Sequence, residues 1–144
     1  MLGNTNNIWK DKLFLIVEDD PASSMLLEII LSKTGAKLLF AESGEKALSI
    51  VKRTRGIDLI LMDIKLGGIS GIQATIQIKK FFPDLPVIAQ TACVVYGDKE
   101  LCIRSGCSDY ISKPIVSSLL IDAIQNQLNR STSKEICKET SMTN

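Results

Sequence analysis

The sequence contains no histidine, and this absence restricts the chemistry that the chain can perform. Ser-His-Asp and Cys-His catalysis both require an imidazole, so both classes of enzyme are excluded. The four cysteines form no CxxC pair and have no histidine to complete a zinc site; they are Cys93, Cys102, Cys107 and Cys137. We therefore expect reduced, buried thiols of the kind found in cytoplasmic proteins.

Long apolar runs and an excess of one charge are also lacking. The longest apolar runs, such as 13–17 and 59–62, are too short to cross a bilayer. The segment 1–12 lacks the continuous apolar stretch of a secretory signal. With 17 basic and 16 acidic residues, the net charge of +1 does not indicate a nucleic-acid-binding surface. We expect a cytoplasmic domain with no membrane insertion and no direct contact to nucleic acid.

Apolar runs alternate with helical patterns along most of the chain. Each predicted strand is followed by apolar residues at helical spacing, and the strands are 13–17, 37–41, 57–62, 87–89 and 109–112. This alternation predicts an α/β fold, in which a parallel sheet has helices on both faces. Because no GxGxxG follows the first strand, we predict a flavodoxin-like (βα)5 domain with strand order 2-1-3-4-5.

The predicted domain covers about 12–130 of the 144 residues. An N-terminal extension, 1–11, precedes it, and a polar tail or linker, 131–144, follows it. The polar composition of that tail predicts no regular structure. Asp20, Ser43 and Ser70 are predicted to begin three of the helices, because short polar side chains cap helix N-termini.

Acidic side chains follow two strands that are neighbours in the predicted sheet. Glu18 and Asp19 come directly after the first strand, and Asp63 comes directly after the third. The carboxyl ends of parallel strands share one edge, so these side chains should converge there. Three close carboxylates repel one another unless a hard cation neutralises them, and Mg²⁺ (or Mn²⁺) takes oxygen ligands. The sequence therefore predicts a divalent metal site.

Two further polar residues end strands at the same edge. Thr91 ends the fourth predicted strand, and Lys113 ends the fifth. A carboxylate can attack phosphorus, a lysine ammonium can pair with a phosphoryl oxygen, and a threonine hydroxyl can donate to another. We therefore predict that Asp63 accepts a phosphoryl group, assisted by Lys113 and Thr91.

Four stretches of the chain resemble the receiver domain of bacterial two-component signalling over about 12–130. They are FLIVEDD (14–20), LILMDIK (59–65), PVIAQTA (86–92) and DYISKPI (109–115). The resemblance implies that Glu18 and Asp19 form the family's acidic pair, that Asp63 is its phosphoacceptor, and that Thr91 and Lys113 are its switch hydroxyl and its lysine. The phrase AQTA…GD…GC.DYISKPI is most similar to receivers of hybrid histidine kinases.

The resemblance also implies finer features of the site. It makes the backbone carbonyl of Lys65 the third metal ligand and Tyr110 a rotating switch aromatic. It also implies a cis bond between Lys113 and Pro114. One departure is Gly67, where the family usually has proline; Gly67 and Gly68 together predict a looser loop.

The function implied is that of a signalling switch that is not an enzyme, beyond promoting its own Mg²⁺-dependent phosphorylation and dephosphorylation. Since the chain has no histidine, the phosphohistidine donor would belong to a partner histidine kinase or histidine phosphotransfer domain. Phosphorylation would move Thr91 and Tyr110 and so change the face formed by the fourth helix, fifth strand and fifth helix. A homodimer through that face is a further expectation.

Three other functions compete with this one. A haloacid-dehalogenase-type phosphatase needs an aspartate two residues after its nucleophile, where this chain has Lys65, and its nucleophile follows the first strand. A flavodoxin-like electron carrier needs a phosphate-binding loop after the first strand, where this chain has acids. A degenerate receiver, acting as a phosphorylation-independent interaction module, stays open as the alternative function.

Overall fold

A computed structural model describes residues 6–91 and 98–142, with the side chains of 132–142 and of Asp98 left undescribed. The strands are β1 (Leu13–Val17), β2 (Lys37–Ala41), β3 (Leu59–Asp63), β4 (Val87–Thr91) and β5 (Asp109–Ser112). The helices are α1 (Pro21–Ser32), α2 (Gly44–Arg53), α3 (Gly71–Phe81), α4 (Asp98–Ser105) and α5 (Ser117–Met142).

The strands form one sheet in which every pairing is parallel, in the order β2-β1-β3-β4-β5. The predicted fold class and strand order are therefore confirmed. In this order β1 and β3 are central neighbours, with Val17 opposite Met62, and β4 pairs with β3 so that Gln90 lies opposite Asp63. The residues that follow β1 and β3 therefore leave the sheet side by side.

Each face of the sheet has its own apolar core. On one face, α2, α3 and α4 pack against side chains that include Leu15, Met62 and Ala89. On the other, α1 and α5 pack against Ile16 and Leu61. Strands covered on both faces need apolar residues at successive positions, which is why β1 and the first residues of β3 and β4 are continuous apolar runs.

The predicted helix starts agree with the structure. Asp20, Ser43 and Ser70 are N-caps whose side chains accept hydrogen bonds from the backbone N–H three residues later. Ser70 also forms a capping box with Gln73. These side chains satisfy helix N–H groups that have no partner within the helix, so the loops after β1, β2 and β3 are held at their junctions with the next helix.

Residues near both ends of the described part of the chain belong to the ordered structure. In the N-terminal extension, Trp9 is only 3% exposed and stacks edge-to-face on Phe14, with ring centroids 5.5 Å apart. At the other end, α5 continues to Met142, so the expectation of no regular structure in 131–144 is wrong for most of that segment. The reason is local: no glycine or proline interrupts the sequence between Ser117 and Met142.

Cys102 and Cys107 are both buried, as expected for small apolar side chains; Cys93 and the side chain of Cys137 lie outside the described residues. Within the described part of the chain, none of the helices combines the length and apolar character that crossing a bilayer requires.

Candidate functional site

Three carboxylates converge at the carboxyl edge of the sheet. Glu18 and Asp19 lie in the turn after β1, and Asp63 is the last residue of β3. One ligand oxygen of each lies within 4.8 Å of the other two. Glu18 and Asp63 are buried, whereas Asp19 is exposed. The arrangement that the sequence predicts is therefore present, and its donor atoms are all carboxylate oxygens, which suit a hard divalent cation.

Lys113, which follows the edge strand β5, also contacts this cluster. Its ammonium donates to Glu18 Oε2 at 3.0 Å and to Asp63 Oδ2 at 3.3 Å. The Lys113 backbone N–H donates to the Thr91 carbonyl at 2.8 Å, and the bond between Lys113 and Pro114 is cis, as predicted. The backbone of Lys113 is thus bonded to β4, while its ammonium contacts the carboxylates of Glu18, directly after β1, and of Asp63, at the end of β3.

The electrostatics of the cluster follow from burying like charges with one ammonium. Burial raises the pKa of Glu18, and the Asp63 carboxylate raises it further, while Lys113 opposes both effects. Burial by itself would lower the pKa of Lys113, but the hydrogen bond to Glu18 and the charges of Asp63 and Glu18 outweigh it, so this pKa is raised. The Lys113 ammonium therefore stays charged beside the acidic cluster.

The backbone around Asp63 is held by close packing. The Lys65 N–H donates to Asp63 Oδ1 at 3.1 Å, which orients the carboxylate. The start of α3 lies against this segment: Gly71 N–H donates to the Ile64 carbonyl at 3.0 Å, and a Cβ on Gly71 would overlap the Asp63 carbonyl oxygen. Glycine is therefore required at Gly71 by close approach of two backbones.

The loop after Asp63 is held by a contact that sequence reasoning missed. The Ile69 N–H donates to Glu45 Oε1 at 2.9 Å, and the same carboxylate lies against Gly68, whose φ of +75° suits glycine. Gly67 has open space around it. A glutamate in the first turn of a helix, as Glu45 is, is commonplace, so the sequence offered no signal of this cross-loop bond.

Thr91 and Tyr110, the predicted switch pair, lie on one face of the sheet. Ala89 is opposite Tyr110 in the register, and Thr91 is two residues beyond Ala89, so all three share a face. Tyr110 is half-buried against the core on the α2–α3–α4 side, and Thr91 is buried at the edge. The structure therefore brings Thr91 to the edge with the carboxylates and Tyr110 to the strand beside it.

Asp20, next to the cluster in sequence, has a different role from its neighbours. Its carboxylate accepts from Ser23 N at 3.0 Å and Ser23 Oγ at 2.7 Å, and these bonds lower its pKa. Its own backbone N–H donates to Glu18 Oε1 at 3.2 Å. Asp20 is therefore an N-cap that also orients Glu18, as its position before Pro21 predicts.

Residues 14–125 match the family described as the response regulator receiver domain. The polar-differentiation response regulator DivK of Brucella ovis is 37% identical over 119 residues, which cover 81% of this chain and 96% of that protein. Hybrid signal transduction histidine kinase I of Dictyostelium discoideum is 35% identical over 133 residues, 83% of this chain. The chain spans only 8% of that kinase.

Solved structures show the same similarity. The receiver domain of the sensor histidine kinase PA1611 of Pseudomonas aeruginosa, crystallised with magnesium coordinated in the active-site cleft, superposes with a TM-score of 0.76 at 32% identity, covering 82% of this chain and 98% of that one. The receiver of Ssk1 of Saccharomyces cerevisiae, crystallised with the histidine phosphotransfer protein Ypd1, gives a TM-score of 0.73 at 32% identity, covering 78% and 86%. With the fold and the acidic cluster above, these matches show that the chain belongs to the receiver domain family of two-component signalling.

Proposed function

We propose that this chain accepts a phosphoryl group on Asp63 from a phosphohistidine of a partner protein, with Mg²⁺ bound beside it. The observation that carries the proposal is the cluster of Glu18, Asp19 and Asp63, whose ligand oxygens lie within 4.8 Å of one another. Lys113 donates hydrogen bonds to two of these residues, Glu18 and Asp63. Carboxylates this close repel one another and destabilise the fold unless a bound cation offsets their charge. Such costly arrangements are typical of functional sites.

The donor set fits magnesium. Glu18, Asp19, Asp63 and the backbone carbonyl of Lys65 would hold the ion, and all four supply oxygen. When bound, the cation would offset negative charge on the transferring group. A ligand set with cysteine or histidine would favour a softer metal, and neither is present in the cluster.

The chain's own residues would divide the remaining work. Asp63, oriented through Oδ1 by the Lys65 N–H, is the nucleophile: its carboxylate oxygen bonds to phosphorus as the bond between phosphorus and the partner's imidazole nitrogen breaks. Lys113, which now contacts Asp63 Oδ2, would pair with a phosphoryl oxygen, and the Thr91 hydroxyl would donate to another. The same groups would support slow hydrolysis of the acyl phosphate, so the chain assists both steps.

The phosphoryl donor would be a separate histidine-containing protein or domain. This sequence has no histidine, and the similar Ssk1 receiver was crystallised with a histidine phosphotransfer protein. Exposed apolar side chains lie on the helix that follows the acidic pair and around the start of the helix that follows Lys113: Met25 and Ile29 on α1, and Val116 and Leu119 at α5. A partner protein that binds to these apolar side chains would bring its imidazole to Asp63.

Phosphorylation would change the conformation of the face formed by α4, β5 and α5, which would be the output face. Thr91 and Tyr110 share a sheet face, so a Thr91 drawn toward the phosphoryl group would open space for Tyr110, which is half-buried now. In Thr91→Ala, Asp63 should still be phosphorylated while the output face no longer responds. Retained response in that variant would contradict the coupling. A homodimer through this face stays a prediction.

The domain limits proposed from the sequence are 1–11, 12–130 and 131–144, and the receiver would act within a hybrid histidine kinase or as a separate regulator in the cytoplasm. The match to the hybrid kinase of Dictyostelium discoideum supports the first arrangement, and the match to DivK supports the second. Both arrangements place the same chemistry on Asp63.

Mass spectrometry of the intact protein tests the function directly. Incubation with acetyl phosphate and Mg²⁺ should add one phosphoryl group to the wild type and to Asp122→Asn, a control at an exposed position on α5. Asp63→Asn should gain none, and a chelator should prevent the gain in the wild type. If the wild type stays unmodified although it is folded, the alternative of a phosphorylation-independent interaction module is favoured.

A further inference from the structure

Gln90 is a polar residue in the core of the sheet, on the strand next to the acidic cluster. It belongs to β4 and is fully buried, at 0% exposure. Neither its amide oxygen nor its amide nitrogen has a hydrogen-bond partner among the residues that the structure describes. A buried amide without a partner destabilises the folded state, because the unfolded chain can hydrogen-bond it to water. A group held at such a cost is a candidate for a function.

Strand pairing places the Gln90 side chain beside Asp63. The two residues are register partners on β3 and β4, and register partners on parallel strands project from the same face. Ile88, two residues before Gln90 on the same face, packs in the core beneath α1 and α5. The Gln90 side chain therefore projects from the α1–α5 face of the sheet, the same face as that of Asp63 on the neighbouring strand.

Lys113 must pass over the same position. Gln90 is also the register partner of Ile111 on β5, and Lys113 is two residues beyond Ile111 on that face. The Lys113 ammonium reaches Asp63 at 3.3 Å although β4 lies between β5 and β3. Its stem therefore crosses β4 on the face from which Gln90, the register partner of both Asp63 and Ile111, projects.

We propose that Gln90 is a positioning residue of the switch, whose amide N–H donates to the Asp63 carboxyl group when Lys113 turns to a phosphoryl group. The proposal rests on the proposed function of Asp63. In the present state, Asp63 Oδ2 accepts from Lys113. Phosphoryl oxygens carry more charge than a single carboxylate oxygen and would draw the ammonium away, leaving an acceptor beside the Gln90 amide. The amide is then unsatisfied in the resting state and bonded in the phosphorylated state, so Gln90 favours the latter.

The test compares two substitutions on the same strand and face, using beryllium trifluoride with Mg²⁺ as the phosphoryl analogue. Gln90→Met keeps the length of the side chain but removes its donor and acceptor, and Ile88→Leu is the matched control for core packing. Calorimetry on the full chain should show beryllofluoride binding weakened about three- to tenfold in Gln90→Met, the range expected for one lost hydrogen bond. The unfolding midpoint of metal-free Gln90→Met should rise by about 2–4 °C. Ile88→Leu should bind within about twofold of the wild type.

Two results would overturn the role of Gln90. One is a Gln90→Met protein that is more stable yet binds beryllofluoride as the wild type does, because the amide would then be only a buried defect. The other is equal weakening in Ile88→Leu, which would assign the effect to packing. Should Gln90→Met fail to fold, Gln90→Leu is measured by the same criteria. Failure of the proposed function looks different: the wild type itself then binds no beryllofluoride and gains no phosphoryl group, which removes the basis of the Gln90 proposal too.

Discussion

The two ends of the sheet differ in how their polar groups are paired. At the amino end, neutral or singly charged groups meet one partner each: Leu13 N–H donates to Asp58 Oδ2 at 2.8 Å, and the Trp9 indole donates to Gln125 at 3.0 Å. At the carboxyl end, Glu18 and Asp63 are both 4% exposed and share the ammonium of Lys113. Buried like charges weaken a fold, and satisfied neutral groups do not. The same strands therefore stabilise the domain at one end and hold a charged site at the other.

Removing the Trp9 side chain should cause the largest loss of stability, because it deletes buried contacts at the amino end of the sheet. Trp9→Ala deletes a side chain buried against Phe14 and α5, so we expect a loss of about 3–5 kcal/mol in the free energy of unfolding. Urea denaturation measures it. Ile8→Ala is the control: Ile8 is 45% exposed, and its loss should change stability by less than about 0.5 kcal/mol. Equal, small effects would mean that the N-terminal extension is not part of the folded unit.

A smaller loss of stability is expected for a substitution at the start of α3, where this helix contacts the carboxyl end of the sheet. In Gly71→Ala the new Cβ would overlap the Asp63 carbonyl oxygen and lie 2.8 Å from the Ile64 Cα. Backbone shifts to relieve this overlap should cost about 1–3 kcal/mol and slow phosphorylation of Asp63. Gly67→Ala is the matched control, because its Cβ would meet nothing within 4 Å. Denaturation and mass spectrometry should separate the two variants; identical behaviour would contradict the close approach.

Neutralising one buried acid should strengthen the metal-free domain. Because burial raises the pKa of Glu18 above its usual 4.5, the folded state binds the proton more tightly than the unfolded state does. The penalty for ionised Glu18 is therefore absent below pH 4.5 and complete above the folded-state pKa.

In metal-free protein, Glu18→Gln should accordingly unfold at a higher urea concentration than the wild type at pH 7, by a margin that shrinks toward pH 4.5. Mg²⁺ should stabilise the wild type more than the variant. A variant less stable than the wild type at pH 7 without metal would show that the Lys113 ion pair outweighs the burial of Glu18.

The smallest effect concerns a buried titratable group near the amino end. Cys107 precedes β5, and burial raises the pKa of its thiol, so little thiolate is present at neutral pH. Iodoacetamide should therefore leave Cys107 unmodified in the native protein and modify it in urea, as read by peptide mass mapping. Rapid alkylation of native Cys107 at pH 7 would contradict a neutral, covered thiol.

Several features of the site could be predicted because they depend on the order of elements. Glu18, Asp63, Thr91 and Lys113 each end or follow a strand, and a parallel sheet gathers such positions at one edge. Asp20 could be assigned as a cap from its place before Pro21. These inferences use local sequence and topology only, so they did not depend on side-chain packing.

Other features had no reliable local signal. The burial of Trp9 depends on α5, more than a hundred positions away, whose Gln125 accepts its indole N–H. The bond from Ile69 to Glu45 joins the loop after β3 to α2. Gln90 had no predicted role, and the relation of Gln90 to Lys113 depends on the sheet face from which each side chain projects. Such contacts join elements that are far apart in the chain, and the sequence does not show how close together these elements lie in the folded protein.

The amino-acid order by itself determined the alternation of strands and helices, the caps, and the presence of acids, hydroxyl and lysine at strand ends, because these depend on neighbours in the chain. The tertiary structure decided which of those groups are buried together, how Lys113 crosses β4 to two carboxylates, and that the N-terminal segment completes the core. Burial and electrostatic coupling are properties of distances in space, and folding alone sets those distances.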